Sequence, residues 1–246
     1  MINDLAHRPW PLPQSSWVMT QRWHDLLFMH WPLPVSVLRP FIPKELSVDS
    51  FNGSAWIGIV PFRMSNVRLK GLPGFPGTSA FPELNVRTYV TNGKKPGVWF
   101  FSLDATSPLA VKIARLWYQL PYFHAEMSIQ AIGDTFHYKS QRRVYKTVRP
   151  ELSVEYGPLG QSFLAQKGSI EHWLTERYCL YAFGYKNLYR SEIHHPPWKL
   201  QEARAKILTN TMAQFLSVPL PNRQPLLHFS RFQEVLVWNL QRDQKP

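Results

Sequence analysis

Four polar residues alternate along one short segment and could form a binding or catalytic surface. Glu83, Asn85, Arg87 and Tyr89 place an acid, an amide, a base and a phenol at every second position, with mostly aliphatic residues between them. Side chains of a β-strand point alternately to its two faces, so a strand here would collect the four on one face. The spacing therefore predicts a strand with one apolar core face and one chemically active face.

The charges on this face have two interpretations. Inside a low-dielectric lumen, Glu83 and Arg87 would form a charged pair with perturbed pKa values, and Arg87 would suit a carboxylate or phosphate through two parallel hydrogen bonds. Glu83 would act as an acid, a base or an orienting group, and Asn85 would orient the ligand or the pair. The alternative is a structural ion pair or an exposed strand face. Because neighbouring segments look apolar on both faces, we favour the cavity.

Further candidates lie outside this segment. Asp104 ends the next apolar run and Arg115 lies on the helix that follows, and for either residue a salt bridge between strand end and helix is as good an explanation as a place in the site. His24 and His195, if near the cavity, could act as general base, because histidine titrates near neutrality. Cys179 alternates with bulky residues, which favours a buried apolar role over a nucleophilic one.

The sequence predicts neither a metal site nor a cofactor. His24 and His30 share a strand face, but six residues of strand separate them by about 20 Å, too far to share a metal ion. The chain has no HExxH, no paired CxxC and no acidic ligand cluster. The chain also has no phosphate-binding loop, no dinucleotide-binding fingerprint and no Gly-x-Ser-x-Gly motif. The hydrolase and nucleotide-enzyme classes are therefore less favoured.

Length and composition favour one cytoplasmic domain. The 246 residues contain no repeat or charged linker, and the 22 prolines are scattered, so residues 1–246 are expected to form a single domain. No apolar run approaches the roughly 20 residues that span a bilayer, and the first residues lack a signal-peptide pattern. The single cysteine excludes an internal disulfide framework and favours a reducing cytoplasm.

The net charge of +12 raises the question of an anionic partner. The densest basic stretch runs from Lys139 to Arg149 and contains no nucleic-acid-binding motif, so we interpret it as a solvated face. Nucleic acid is therefore not an expected partner, whereas a small molecule is. A homo-oligomer is compatible with the sequence.

Strand signals dominate the chain and predict a β-rich α+β fold. The expected strands cover residues 19–31, 54–62, 83–90, 98–104, 122–131, 135–145, 178–183, 188–194, 198–207 and 225–238, with a loop at 71–77 and a helical turn at 35–38. Two short helices are expected at 170–177 and 210–216.

The clearest helix covers residues 108–119, because Ser107 can cap it and Pro108 fits its first position. Its apolar residues recur at helical spacing and are expected to pack against the sheet; they are Leu109, Ile113, Leu116 and Leu120.

Several longer motifs carry a resemblance to a known family. They are residues 38–49 (LRPFIPKELSVD), 56–62 (WIGIVPF), 81–90 (FPELNVRTYV) and 98–105 (VWFFSLDA). They resemble the bacterial family typified by YqjF, over nearly the whole chain. That family has no established biochemical function to carry over. It is distantly similar to acetoacetate decarboxylase, which implies an antiparallel β-barrel or sandwich with a few flanking helices around a cavity.

The resemblance also implies what this cavity lacks. Acetoacetate decarboxylase forms a Schiff base on a lysine whose pKa is lowered by a second, adjacent lysine. The equivalent region, residues 110–122, reads Leu120-Pro121 where the lysine pair would stand, and Lys112 lies about two helical turns earlier. Tyr122 matches a downstream tyrosine of that region and joins the ligand-binding candidates. Lysine-based decarboxylation is therefore not expected.

The other pocket residues of acetoacetate decarboxylase have counterparts in this sequence only in part. One pocket glutamate of the decarboxylase corresponds to Glu83, whereas its second falls near Trp56 and its substrate-side arginine near His24. The resemblance thus implies an internal polar cavity for a small carbonyl- or carboxylate-bearing molecule, with turnover left open. The alternatives are a non-catalytic small-molecule-binding or stress-related protein that uses the same cavity, and a protein that binds anionic surfaces through its basic stretch.

Overall fold

Long strands dominate the computed structural model, which describes residues 5–72, 80–143 and 149–243. Within those ranges the strands are β1 Met19–Leu33, β2 Ser47–Val48, β3 Ala55–Leu69, β4 Ala80–Thr91, β5 Pro96–Ala105, β6 Tyr122–Ile132, β7 Thr135–Arg142, β8 Glu151–Leu164, β9 Cys179–Gly184, β10 Asn187–His194, β11 Lys199–Asn210, β12 Leu226–Val237 and β13 Gln241–Arg242. The helices are α1 Val35–Leu38, α2 Pro108–Tyr118 and α3 Ile170–Thr175, and a 3-10 helix covers Arg39–Phe41.

All of these strands belong to one sheet that folds back on itself. Their order is β13-β10-β9-β5-β6-β7-β8-β11-β12-β1-β3-β4-β2, with additional pairings of β4 with β5 and of β10 with β12. The neighbours are antiparallel except that β5 runs parallel to β6 and to β9. Parallel neighbours need a crossover connection, which α2 supplies between β5 and β6. The β-rich, barrel-like α+β fold expected from the sequence is confirmed.

Both faces of β4 are buried, and they look into different hydrophobic clusters. Leu84, Val86 and Val90 pack in the larger cluster, whereas Phe81, on the face of Glu83, packs in a second one. The strand predicted for residues 83–90 is confirmed, together with its division into an aliphatic and a polar face. The polar side chains of this face, Glu83, Asn85 and Arg87, are therefore buried in the protein.

A bulge in β1 decides which side chains reach this enclosed space. The pairing of β1 with β3 shifts register between His24 and Met29, and Asp25 has a positive φ of 54°. Before the bulge, the Trp23 side chain faces the space next to β4, where it lines a cavity. After the bulge, the Phe28 side chain faces the same space, because its ring contacts Arg87. An odd and an even position share one face because the bulge inserts an extra residue.

Two local expectations are wrong, and one strand was not predicted. In the segment 210–216, residues 212–215 form turns instead of a helix, and Asn210 ends β11. The strand β8 escaped prediction because Gly157, Pro158 and Gly160 give its sequence the character of a turn. On α2 most of the predicted apolar stripe does not pack against the sheet: Leu109, Ile113 and Leu116 are 55%, 47% and 65% exposed, and only Leu120, beyond the end of the helix, is buried.

The helix α2 instead packs through Val111, Ala114 and Tyr118, which repeat at the same helical spacing on another face. Since α2 carries apolar residues on two faces, periodicity alone could not show which face is buried.

Some expectations fall outside the described residues. Positions 73–77 of the predicted loop and positions 144–148 of the basic stretch are not described. Among the described helices, none combines the length and apolar character needed to cross a membrane.

The bulge generates a stability prediction. Asp25→Val should lower the free energy of unfolding by about 1–3 kcal/mol, because a β-branched residue is strained at positive φ. Asp25→Asn should cost about 1 kcal/mol or less, because asparagine tolerates this conformation and the lost ion pairs involve the half-exposed Arg63 and Arg231. Urea denaturation of both variants measures the difference. Equal losses would mean that the ion pairs, and not the backbone conformation, stabilise the bulge.

Candidate functional site

A cavity of about 230 Å³ lies against the polar face of β4. Its polar lining comes from β4, from the start of β6 and from the segments that flank β9 and β10: Glu83, Asn85, Arg87, Tyr122, Arg177 and His195. Apolar side chains from β1, β3, β5 and α2 line most of the remainder, among them Trp23, Phe62, Phe100 and Trp117. The cavity therefore has a charged, hydrogen-bonding wall and an apolar body.

Glu83 is buried as a hydrogen-bonded carboxyl group. It is 3% exposed, and the Tyr122 hydroxyl donates to its Oε2 at 2.9 Å. Burial raises its pKa to about 8, the hydrogen bond from Tyr122 opposes the rise, and the charge of Asp104 adds to it. The Tyr138 hydroxyl donates to the backbone oxygen of Glu83 at 2.7 Å and holds the strand in place. At neutral pH this carboxyl group carries a proton, so it can donate a hydrogen bond.

Arg87 lies in the same cavity without a carboxylate partner among the described residues. Its guanidinium lies over the rings of Phe28 and Tyr89, 5.5 and 5.8 Å from their centroids. Gly58 stands opposite Arg87 on β3 and makes room for the neighbouring His30, because a Cβ there would lie 2.9 Å from His30 Nε2. Glu83 and Arg87 thus share a cavity wall but do not form an ion pair.

Four lining residues each keep one buried polar atom without a hydrogen-bond partner in the described part of the chain. Three of these atoms are donors and one is an acceptor: Arg87 Nε, Arg177 Nη2, Trp198 Nε1 and Asn85 Oδ1. Buried polar groups are nearly always hydrogen-bonded, and each exception calls for an explanation. Their concentration around one cavity is what a site for a polar ligand requires.

Arg177, between α3 and β9, is a lining residue that sequence reasoning missed. Its Nη1 donates to Asp49 Oδ2 at 2.6 Å and its Nε to the backbone oxygen of Trp173 at 2.7 Å. Burial lowers its pKa, and the charge of Asp49 opposes that shift. The signal in the sequence was an arginine next to a run of apolar strand residues.

His195 forms part of the wall and is held by backbone carbonyls. Its Nδ1 contacts the Pro196 oxygen at 2.8 Å and its Nε2 the Arg177 oxygen at 3.3 Å, while its ring stacks on Tyr178. Burial lowers its pKa, opposed by the charge of Glu176. Both ring nitrogens therefore face acceptors, an arrangement that orients the ring and the neighbouring Arg177 backbone.

Three predicted residues lie outside the cavity lining. His24 is on the opposite face of β1, where its Nε2 lies 2.6 Å from Ser65 Oγ, and burial lowers its pKa. Asp104 is opposite Leu84, on the aliphatic face of β4. Arg115 borders a separate open groove of about 630 Å³ lined largely by aromatic residues.

Asp104 is engaged in a buried ion pair. Arg142 donates to both of its carboxylate oxygens, at 2.7, 3.0 and 3.1 Å. Burial raises the pKa of Asp104 to about 6, and Arg142 opposes the rise. The salt bridge anticipated for this strand end thus exists, but it joins Asp104 to β7 and not to the helix.

The cavity lining contains no lysine among the described residues, and Lys112 is exposed on α2. Cys179 is buried and its pKa is raised to about 12 by burial, so it is a thiol at neutral pH. No group of three or more His, Cys, Asp or Glu side chains in the described ranges could hold a metal ion.

The architecture defines a class. The enduracididine biosynthesis enzyme MppR complexed with pyruvate matches with a TM-score of 0.64 at 11% identity, over 94% of this chain and 93% of that one. An acetoacetate decarboxylase-like enzyme from Sphingomonas wittichii RW1 gives 0.61 at 10% identity, over 98% of each chain. Acetoacetate decarboxylase from Legionella pneumophila gives 0.61 at 10% identity, over 97% and 94%. The fold is therefore acetoacetate decarboxylase-like.

Within this class, the chain belongs to the DUF2071 family, described as an uncharacterized conserved protein, whose profile matches residues 20–234. It is 46% identical over 231 residues to the uncharacterized protein YqjF of Bacillus subtilis (strain 168), which covers 94% of this chain and 95% of the relative. The family resemblance carried by the sequence motifs is confirmed.

The raised pKa of Glu83 predicts a pH-dependent stability. The unfolded carboxyl group ionises near its ordinary pKa of 4.5, whereas the folded one keeps its proton up to about pH 8. Glu83 should therefore make the free energy of unfolding fall by about 1.4 kcal/mol per pH unit between these values. Glu83→Gln removes this contribution.

Urea denaturation from pH 5 to 8 should show wild type losing stability relative to Glu83→Gln as the pH rises. The contribution of Asp104 is present in both proteins and cancels in the difference. Glu234→Gln, in an exposed pair with Arg22, is the control and should show no such trend. A constant difference between wild type and Glu83→Gln across this range would contradict a protonated Glu83.

Proposed function

We propose that the protein binds a small carbonyl- or carboxylate-bearing organic molecule in the cavity on the polar face of β4. The observation that carries this proposal is Arg87, a buried cation with no carboxylate partner among the described residues, beside unpartnered polar atoms of Asn85, Arg177 and Trp198. A buried, uncompensated charge is costly, and a bound anion would relieve that cost.

The roles follow from the chemistry of each group. Arg87 holds the carboxylate, because a guanidinium matches carboxylate geometry and keeps its charge when buried. Glu83, protonated near neutral pH, donates to a carbonyl oxygen and polarises it, as a general acid would. The side chain of Asn85 fixes the orientation of the ligand between them.

The size and surroundings of the cavity support a small ligand. Pockets for drug-sized molecules measure about 300–1,000 Å³, and this cavity is smaller, at about 230 Å³. One structural neighbour, MppR, is complexed with pyruvate, which has both the carboxylate and the carbonyl proposed here. The neighbours are enzymes, and turnover in this chain would have to proceed without an amine nucleophile in the described lining.

We also propose that the partner is a small molecule and not a nucleic acid. Arg142 and Arg143, in the basic stretch, each pair with an acid, Asp104 and Glu126. These pairs reduce the positive charge that the described part of the stretch offers to a polyanion. A cytoplasmic location is proposed from the single cysteine.

Removal of the anchoring cation should weaken binding strongly. Isothermal titration with pyruvate should give an affinity that Arg87→Met weakens about thirtyfold or more, because a buried charged hydrogen bond is lost. Arg22→Met, in an exposed ion pair, is the matched control and should bind as wild type does. Undiminished binding by a folded Arg87→Met protein would refute the assigned role of Arg87. If the wild-type protein binds no small oxo acid or carboxylate, the proposed function is refuted.

Schiff-base chemistry should not occur. Borohydride treatment in the presence of pyruvate or acetoacetate should leave the mass of the protein unchanged, because no lysine of the described chain lines the cavity. A Schiff-base decarboxylase of the same fold treated in parallel is the positive control. A reduced adduct on Lys112 or any other lysine would overturn the acid-polarisation role of Glu83 in favour of amine catalysis.

A further inference from the structure

We propose that Arg177 is a second anion-binding residue of this cavity and that Arg87 and Arg177 together hold one carboxylate of a monocarboxylic acid whose remaining part is apolar. This inference rests on the proposed function and makes its substrate class specific.

Arg177 is held rigidly and has a donor to spare. Its Nη1 is used by Asp49 and its Nε by the Trp173 backbone, and its guanidinium lies over the rings of Trp173 and Tyr89, at 4.4 and 4.9 Å from their centroids. Its Nη2 is buried and has no hydrogen-bond partner among the described residues. A purely structural arginine would use this donor as well, because unsatisfied buried donors are costly.

The spare donors belong to side chains that share aromatic neighbours. The guanidinium groups of Arg87 and Arg177 both lie within 6 Å of the ring centroid of Tyr89. Arg87 also lies over the ring of Phe28, and Phe28 packs edge-on against Trp198 at 5.1 Å. Arg87 Nε, Arg177 Nη2 and Trp198 Nε1 therefore belong to residues that line one cavity, and together they offer donors for the two oxygens of a carboxylate.

The buried charges at this wall would be balanced by one negative charge. Asp49 compensates Arg177, whereas Arg87 has no carboxylate partner in the described chain. Burial raises the pKa of Glu83 to about 8, so that it is neutral at pH 7. Burial lowers the pKa of His30 and of His195, so that both rings are neutral as well. The buried charges at this wall thus sum to +1, that of Arg87, which matches a monoanion; this sum leaves out Arg68, which also lines the cavity but is exposed.

The rest of the cavity favours an apolar substituent. Trp23, Phe62, Phe100, Leu103 and Trp117 surround the body of the cavity. Further polar lining comes from Gln21, Thr175 and the exposed Arg68. A second carboxylate placed against the aromatic body would lose its hydration without gaining a buried partner, because the remaining cation of the lining, Arg68, is exposed. A branched or aromatic monocarboxylate would bury apolar surface there instead.

The test is calorimetric binding at pH 7 with matched probes. Isobutyrate, benzoate and 2-oxoisovalerate represent the proposed class, isobutyramide and benzamide are their neutral counterparts, and malonate and succinate are the dicarboxylates. Wild type should bind at least one acid of the class about tenfold or more tightly than its amide and than either dicarboxylate. Arg177→Lys, which keeps the charge beside Asp49, should weaken that binding about ten- to hundredfold because the planar spare donor is lost.

Arg190→Lys is the matched control, since Arg190 is partly buried and also pairs with an aspartate, Asp243, outside the cavity lining. It should bind as wild type does, and thermal unfolding should show both variants folded. If Arg177→Lys does not fold, the ranking of acids, amides and dicarboxylates by wild type, with the position of the carboxylate in a crystal structure of the complex, decides the inference.

The outcomes separate the two proposals. If monocarboxylates bind but dicarboxylates bind equally well, or if a folded Arg177→Lys protein binds unchanged, the inference about Arg177 and the ligand class is overturned while the proposed function stands. If neither these acids nor small oxo acids bind, the proposed function itself fails.

Discussion

The site depends on one constraint: β4 is buried on both faces, yet one of those faces is polar. Aliphatic residues hold the strand against the larger hydrophobic cluster, so Glu83, Asn85 and Arg87 are carried into the protein on the other side. The register of β4 is fixed by strand periodicity. A slip of one residue would turn the aliphatic side chains of β4 toward the cavity and bury its charged side chains in the hydrophobic core. The stability of the aliphatic face therefore maintains the polar cavity wall.

Burial then decides the charge of each group. Glu83 escapes the cost of desolvation by keeping its proton, with Tyr122 as its donor. Arginine cannot lose its proton in a protein, so Arg87 keeps its charge and is stabilised by aromatic faces. The protein thus places a neutral acid and a permanent cation on the same face of one strand, with Asn85 between them, and no ion pair joins the two.

Sequence alone could predict β4 and its polar face because both follow from a local period of two. It could not predict the partners that complete the wall. Arg177 reaches the cavity because β9 runs parallel to β5, and Trp198 follows β10, so both contacts depend on long-range pairings. The face on which His24 lies could not be predicted either, because one bulged residue, Asp25, reverses the alternation of β1. Local patterns determine which residues share a strand face, and topology determines what stands opposite.

The absence of lysine from the described cavity lining changes what such a cavity can do. A lysine with a lowered pKa is a nucleophile that attacks a carbonyl carbon, and the fold of acetoacetate decarboxylase is known for that use. An arginine neither attacks nor deprotonates, so it can only bind an anion and stabilise negative charge. Because the described lining holds arginines and no lysine, the proposed function assigns the carbonyl of a ligand to Glu83, whose pKa is raised by burial. The burial that surrounds the cavity would thus support anion binding and polarisation of a carbonyl by an acid, without an amine nucleophile.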